Sequence, residues 1–163
     1  MRHILKRREL TEDPWRYLGE EVADGAGLIV PFAELTNAPE KWYAWGGPLG
    51  VRLTPADRVE ELAAQLAHLD LIAVEFPSPG EGRGYTQGRL LRERLGFHGE
   101  LRAYGAGVRQ DLVFLLARCG FDALELAAGE DVAAAQVAFS RYDVAYQPGD
   151  AQVSVRRQRF FSA

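Results

Sequence analysis

From Leu49 onward the chain repeats one pattern: a short apolar run, a turn marked by glycine or proline, then a stretch with helical spacing. Leu49–Leu53 reads as a strand, Thr54–His68 as a helix and Leu71–Phe76 as a buried strand. Thr86–Leu95 reads as a helix, Glu100–Tyr104 as a strand and Gln110–Cys119 as a helix. Ala123–Leu126 is then a strand, Glu130–Phe139 a helix and Tyr142–Tyr146 a last strand. Parallel strands need a long crossover, and a helix supplies one, so this alternation points to an α/β fold with a mostly parallel sheet built from successive βα units. A complete (β/α)8 barrel takes about 250 residues. At 163 residues the chain is left with an open doubly wound sheet, a partial barrel, or a barrel completed in a homodimer.

Local signals support the helices. Thr54-Pro55-Ala56-Asp57 offers an N-cap, a proline at the first helical position and an acid two residues later. Val59, Leu62, Ala63 and Leu66 follow at helical spacing. Gly96 and Gly120 stand where C-caps belong. The expected organisation is one domain. Residues 1–48 are a less regular segment packed on the core, 49–149 the βα core, and 150–163 a basic tail. Within the first segment Gly27–Val30 reads as an extra strand. Pro31–Ala44 reads as a loop or short helix, with Trp42 and Trp45 as structural anchors.

Charge and cysteine content narrow the function classes. A net charge of −4 argues against nucleic acid as a partner. No apolar run approaches the roughly 18 residues of a membrane helix, and the first residues carry no apolar leader pattern. A single cysteine, Cys119, allows no internal disulfide, which suits a cytoplasmic protein. It reads as a buried, inert thiol. His3, His68 and His98 share no metal-ligand spacing, so no metal site is expected. Basic residues cluster at both ends (Arg2, Lys6, Arg7, Arg8; Arg156, Arg157, Arg159) and read as solvated tails or as a docking strip for an acidic partner.

In open α/β sheets, ligands bind beyond the carboxyl ends of the strands. Two glycine-rich loops lie there. The first contains Gly82, Arg83, Gly84 and Thr86, the second Gly105, Gly107 and Arg109. Glycine lets backbone approach an anion, and each loop opens a helix N-terminus. Arg83, Arg109 and Arg89, in the first turn of the following helix, would add guanidinium contacts. The spacing matches neither the dinucleotide fingerprint nor a phosphate-binding loop, so the cofactor is unknown. Arg102 is unusual in a central strand and needs a rim, a cleft or a partner; Glu75, in the preceding strand, has the same need and could be that partner. Arg89, Arg92 and Arg94 otherwise read mostly as a solvated face.

The run FPSPGEGRGYTQGRLLRERLGFHGELRAYG, followed by LLARCGFDALEL and YDVAYQ, resembles a family of uncharacterised bacterial proteins. Its members are commonly labelled as oxidoreductases of sulfite reduction and tend to be encoded beside assimilatory sulfite reductase. The likeness spans roughly residues 71–147. Gly82, Arg83, Tyr85, Arg89, Arg92, Gly96, Gly99, Glu100, Arg102, Cys119, Gly120 and Asp122 all fit that pattern. Two departures stand out. Glu81 replaces the usual aspartate, and the second loop reads Gly105-Ala106-Gly107-Val108-Arg109-Gln110-Asp111, without the acid that usually follows the glycine.

The resemblance implies a cytoplasmic accessory protein of assimilatory sulfate or sulfite reduction. On this expectation it binds a small anion (sulfite, sulfate or phosphate) or an anionic cofactor at the paired loops, with Arg83, Arg89 and Arg102 as anchors. Two alternatives stay open. One is an oxidoreductase with Glu75 or Asp111 as acid/base, Tyr85 as proton donor and the arginines steering substrate. The other is a non-catalytic module that docks onto the sulfite reductase system. Whether the chain is an enzyme is undecided by its residues, which carry no recognised nicotinamide motif, iron–sulfur cysteines or dithiol.

Overall fold

The computed structural model describes residues 2–142. Eight strands form one mixed sheet: β1 (His3–Lys6), β2 (Glu9–Glu12), β3 (Trp15–Tyr17), β4 (Gly27–Pro31), β5 (Leu49–Leu53), β6 (Leu71–Glu75), β7 (Glu100–Tyr104) and β8 (Ala123–Leu124). The order is β2-β1-β8-β7-β6-β5-β4-β3. Strands β3 to β8 run parallel and lie beside their neighbours in sequence. β1 joins β8 antiparallel, and β2 joins β1 antiparallel.

Because strand order follows chain order, every crossover advances in one direction. Right-handed crossovers then place all connecting helices on one face, whereas a doubly wound sheet would need a reversal of direction. The result is an α/β single domain with a sheet curled into a half-barrel. It is not purely parallel, because β1 and β2 run against the rest. The helices are α1 (Phe32–Asn37), α2 (Pro39–Tyr43), α3 (Arg83–Arg89), α4 (Val113–Arg118) and α5 (Val132–Tyr142).

Strand alternation divides the core. Leu28, Val30, Leu49, Val51, Leu53, Ile72, Val74, Phe76, Leu101, Ala103 and Leu124 face the helices, where they pack with Leu35, Trp42, Leu91, Leu116 and Phe139. The opposite, concave face holds a smaller apolar cluster of Trp15, Ile29, Leu71 and Ala73, with Tyr17 and Tyr104 against it. Small residues make room there. Trp15 lies flat on Gly27, where a Cβ would sit 2.4 Å from its ring.

The curl is tied at one corner. β2 and β3 are opposite edges of the sheet, yet only Asp13 and Pro14 separate them in sequence. Three Cα steps span at most about 11 Å, so the edges converge there. This brings Asp13 over the concave face.

Several local expectations change. Residues 2–48 hold four strands; β1 and β2 are short and β2 is mostly exposed, which leaves little apolar pattern to read. Thr54–His68 is not an α-helix. Asp57 Oδ2 captures both the amide (2.7 Å) and the hydroxyl (2.9 Å) of Thr54, and two 3₁₀ turns follow, at Val59–Leu62 and Leu66–His68. Val59 and Leu62 are buried three residues apart, a spacing that eclipses on a 3₁₀ helix. The helix expected from Thr86 begins at Arg83 and widens into a π-turn at Leu90–Arg94. The strand expected at Ala123–Leu126 ends at Leu124, and the helix after it runs on to Tyr142. The expected last strand therefore begins in a helix, and the rest of it lies, with the basic tail, outside the described residues.

Candidate functional site at the carboxyl rim of the concave face

In β7 the alternation sends Leu101 and Ala103 to the helices and Glu100, Arg102 and Tyr104 to the concave face. Arg102 is fully buried, so every N–H it carries needs an acceptor. Nη1 and Nη2 donate to Asp13 Oδ2 (2.8 Å) and Oδ1 (2.9 Å). Nε and Nη2 donate to Glu100 Oε1 at 3.1 and 2.8 Å, and Nη1 also reaches Glu125 Oε1 at 3.0 Å. All five N–H groups are thereby satisfied. The partner expected from sequence, Glu75, is not among them: Ala73 stands opposite Arg102, and Glu75 opposite Tyr104.

Asp13, also fully buried, accepts further bonds from Arg2 Nε (2.8 Å) and the Trp15 amide (3.1 Å). Burial pushes its carboxyl upward, but the hydrogen bonds and charge of Arg102 outweigh that and hold it below the usual aspartate value. Glu125 extends the network to Tyr17, whose hydroxyl donates to Oε1 at 2.6 Å. Lys6 Nζ closes the other end on Glu100 Oε2 at 2.9 Å.

Above this network, at the carboxyl ends of the strands, lie Tyr17, Arg52, Glu75 and Tyr104, all half-buried. The Tyr17 and Tyr104 rings stand 5.8 Å apart. The Arg52 guanidinium lies 5.7 Å from the Tyr17 ring centre and that of Arg2 4.7 Å. Among the described residues, neither Arg52 nor Glu75 makes an ion pair or a side-chain hydrogen bond. The Tyr104 hydroxyl has only a long contact, 3.5 Å to the Leu53 carbonyl. Burial, followed by the charge of Glu75, pushes its phenol well above the ordinary value, so it stays a donor at neutral pH. The rim therefore presents a cation, a carboxylate and a hydroxyl without strong partners, at the end of the strands where barrel-like folds place their chemistry.

The sequence-predicted residues are distributed differently. The two glycine-rich loops do touch: the Gly107 amide donates to the Phe76 carbonyl at 2.7 Å, and a Cβ on Gly107 would sit 2.4 Å from the Ser78 carbonyl oxygen. Gly105, at φ +110°, is pressed equally close to Phe76. Their helix starts, however, carry carboxylates of the chain itself. Glu81 Oε1 accepts from the Arg83 amide (3.0 Å) and Glu130 Oε2 from the Gln110 amide (2.7 Å). The Arg83 side chain is 68% exposed, 3.7 Å from Glu81, and Arg109 lies between Asp111 and Glu130 at 3.7 and 3.6 Å. Gly82 and Thr86 are exposed, while Gly84 is packed on the Phe76 ring. Arg89 pairs with Glu93 one turn on.

Tyr85 packs edge-on against Phe76 on the helix side, and Asp111 is exposed on that side. Glu75 faces the other way, so Tyr104 is the hydroxyl beside it. Arg92 is no solvated side chain either. It donates to the carbonyls of Gly120 (3.0 Å), Phe97 (2.7 Å) and Gly99 (2.9 Å) and so clamps the π-turn to the starts of β7 and β8. Sequence reasoning missed Asp13, Tyr17, Arg52 and Glu125. For Arg52 the signal was present, since it is the one charge in the apolar run Leu49–Leu53.

A groove of about 560 Å³ opens beside the β3 corner and is lined by Arg2, Arg16, Glu20, Val22 and Ala26. Its arginines are committed: Arg2 to Asp13, Glu20 and the Trp15 carbonyl, Arg16 to the carbonyls of Asp13 and Trp15. Among the described residues no three His, Cys, Asp or Glu side chains are grouped as a metal site would need, and no helix is long and apolar enough to cross a membrane.

A family model described as a bacterial protein of unknown function (DUF934) matches residues 50–155. The chain belongs to that family. The DUF934 match takes in Arg52, Glu75, Arg102, Tyr104 and Glu125, whereas Arg2, Asp13 and Tyr17 precede it. No curated protein matches the chain.

Proposed function

We propose that this DUF934 protein serves assimilatory sulfate or sulfite reduction by holding a small oxyanion, or the anionic end of a cofactor, at the carboxyl rim of its half-barrel. The pathway rests on the sequence resemblance described above. The place rests on one observation: Arg52 is a half-buried guanidinium on the concave face with no carboxylate partner among the described residues. A planar fork of this kind suits a tetrahedral or pyramidal oxyanion. Arg83 and Arg109, by contrast, each have an acid within 4 Å, and the helix starts beside them already hold carboxylates. Tyr104 would add a neutral donor.

Calorimetric titration with sulfite and phosphate tests the reading. Loss of one charge-assisted contact costs about 1.5–3 kcal/mol, so Arg52→Ala should weaken binding by about 10- to 100-fold, while Arg83→Ala leaves it unchanged. If Arg83→Ala weakens binding and Arg52→Ala does not, the ligand sits at the glycine-rich loops instead.

A further inference from the structure

We propose that Glu75 makes this rim selective for oxyanions that still carry a proton, hydrogensulfite or hydrogenphosphate, over sulfate. The inference rests on the rim reading above and deepens it. Glu75 is the last residue of β6, on the concave side, and stands in register with Tyr104 of β7. Arg52 on β5 is in register with Ala73, two residues before Glu75 on the same face. With parallel strands about 4.8 Å apart and a two-residue step of about 6.6 Å, the bases of these side chains stand about 8 Å apart. The two charges do not pair with each other, so each keeps its hydrogen-bonding capacity for a small ligand.

A ligand seated there meets unlike neighbours. Arg52 and the Tyr104 hydroxyl donate hydrogen bonds, whereas an ionised carboxylate only accepts them. An oxyanion with a proton can give it to Glu75 and accept from the other two. Sulfate is fully ionised near neutral pH, so its oxygen would face the Glu75 oxygens with no hydrogen between them. Sulfite and phosphate both exchange a proton in that range. The other ionisable groups around the rim are Tyr17 from β3, Glu125 beyond β8 and Asp57 in the loop after β5. The last two add negative charge around Tyr104, and the guanidiniums of Arg2 and Arg102, which also face Tyr17, are taken up by Asp13, Glu20, Glu100 and Glu125.

The test is titration of the full chain with sulfite, phosphate and sulfate at pH 7, for the wild type, Glu75→Gln and Arg52→Ala. The wild type should bind sulfite and phosphate at least about ten-fold tighter than sulfate, the scale of one unmet charged contact. Glu75→Gln supplies an amide donor and should close that gap by gaining sulfate affinity. Glu75→Ala should narrow it too, and provides the measurement if the glutamine variant is unstable. Equal binding of the three anions by the wild type, or discrimination that persists in both Glu75 variants, overturns the selectivity. Undiminished binding in Arg52→Ala overturns the rim site itself, so the two failures can be told apart.

Discussion

Removing the Asp13 carboxylate should be among the most damaging single changes in this protein, although Asp13 sits in a two-residue link between short strands. Its oxygens receive two hydrogen bonds from Arg102, one from Arg2 and one from the Trp15 amide, at 2.8–3.1 Å. Asp13→Ala would leave Arg102, fully buried, without its bidentate partner. Breaking one side of a buried ion pair costs about 3–5 kcal/mol, a large share of the roughly 5–15 kcal/mol that stabilises a domain. At about 2–4 °C per kcal/mol for a chain of this size, the melting temperature should fall by about 6–20 °C. Urea unfolding followed by tryptophan fluorescence reads this directly, because Trp15 lies beside the network.

The pH dependence has a definite sign. The folded-state pKa of Asp13 is depressed, so its contribution is complete above the unfolded value of about 3.9 and is lost as the pH falls through the lower folded value. The gap between wild type and Asp13→Ala should therefore shrink below about pH 4. A variant within about 1 kcal/mol of wild type at pH 7 would mean that Arg102 is solvated, and the account of the concave face would fail.

Two further outcomes check the helix side. Gly107→Ala places a Cβ 2.4 Å from the Ser78 carbonyl oxygen and 2.9 Å from that of Phe76; both are backbone atoms, so the loops must part. A loss of about 1–3 kcal/mol is expected in urea unfolding, and an unchanged midpoint would show that these loops do not pack as described. Cys119 is buried, and burial pushes its thiol above the ordinary value. Iodoacetamide at pH 7.5 should modify it at least about ten-fold more slowly in the folded than in the urea-unfolded chain, and equal rates would refute that placement.

How much could be read in advance differs between the two faces. The helix-facing core was legible, because Leu71–Glu75 is a nearly continuous apolar run and Leu101 and Ala103 alternate with polar neighbours in Glu100–Tyr104. The anomaly at Arg102 was legible too, since a charge in a buried strand demands compensation. Its partners were not. Asp13 is 89 residues away in sequence, and nothing in a two-residue link marks it as the counter-ion of a distant strand. The glycine-rich loops attracted attention for a pattern that here serves close packing: Gly84, Gly105 and Gly107 all admit Phe76 or the backbone beside it. Arg92 misled in the opposite sense, because a helical arginine clamped on three carbonyls looks in sequence like any exposed one.

Hydrophobic periodicity by itself settled that the chain is α/β and that strands β5 to β8 follow one another with crossovers between them. Periodicity records which side of each element is apolar, and that is local. The curl of the sheet, the addition of β1 and β2 in the opposite direction, and the meeting of the sheet edges at Asp13 came only from tertiary structure. Those features depend on which strand hydrogen-bonds to which, a choice made by the whole chain. The rim where Arg52, Glu75 and Tyr104 converge exists only after it is made.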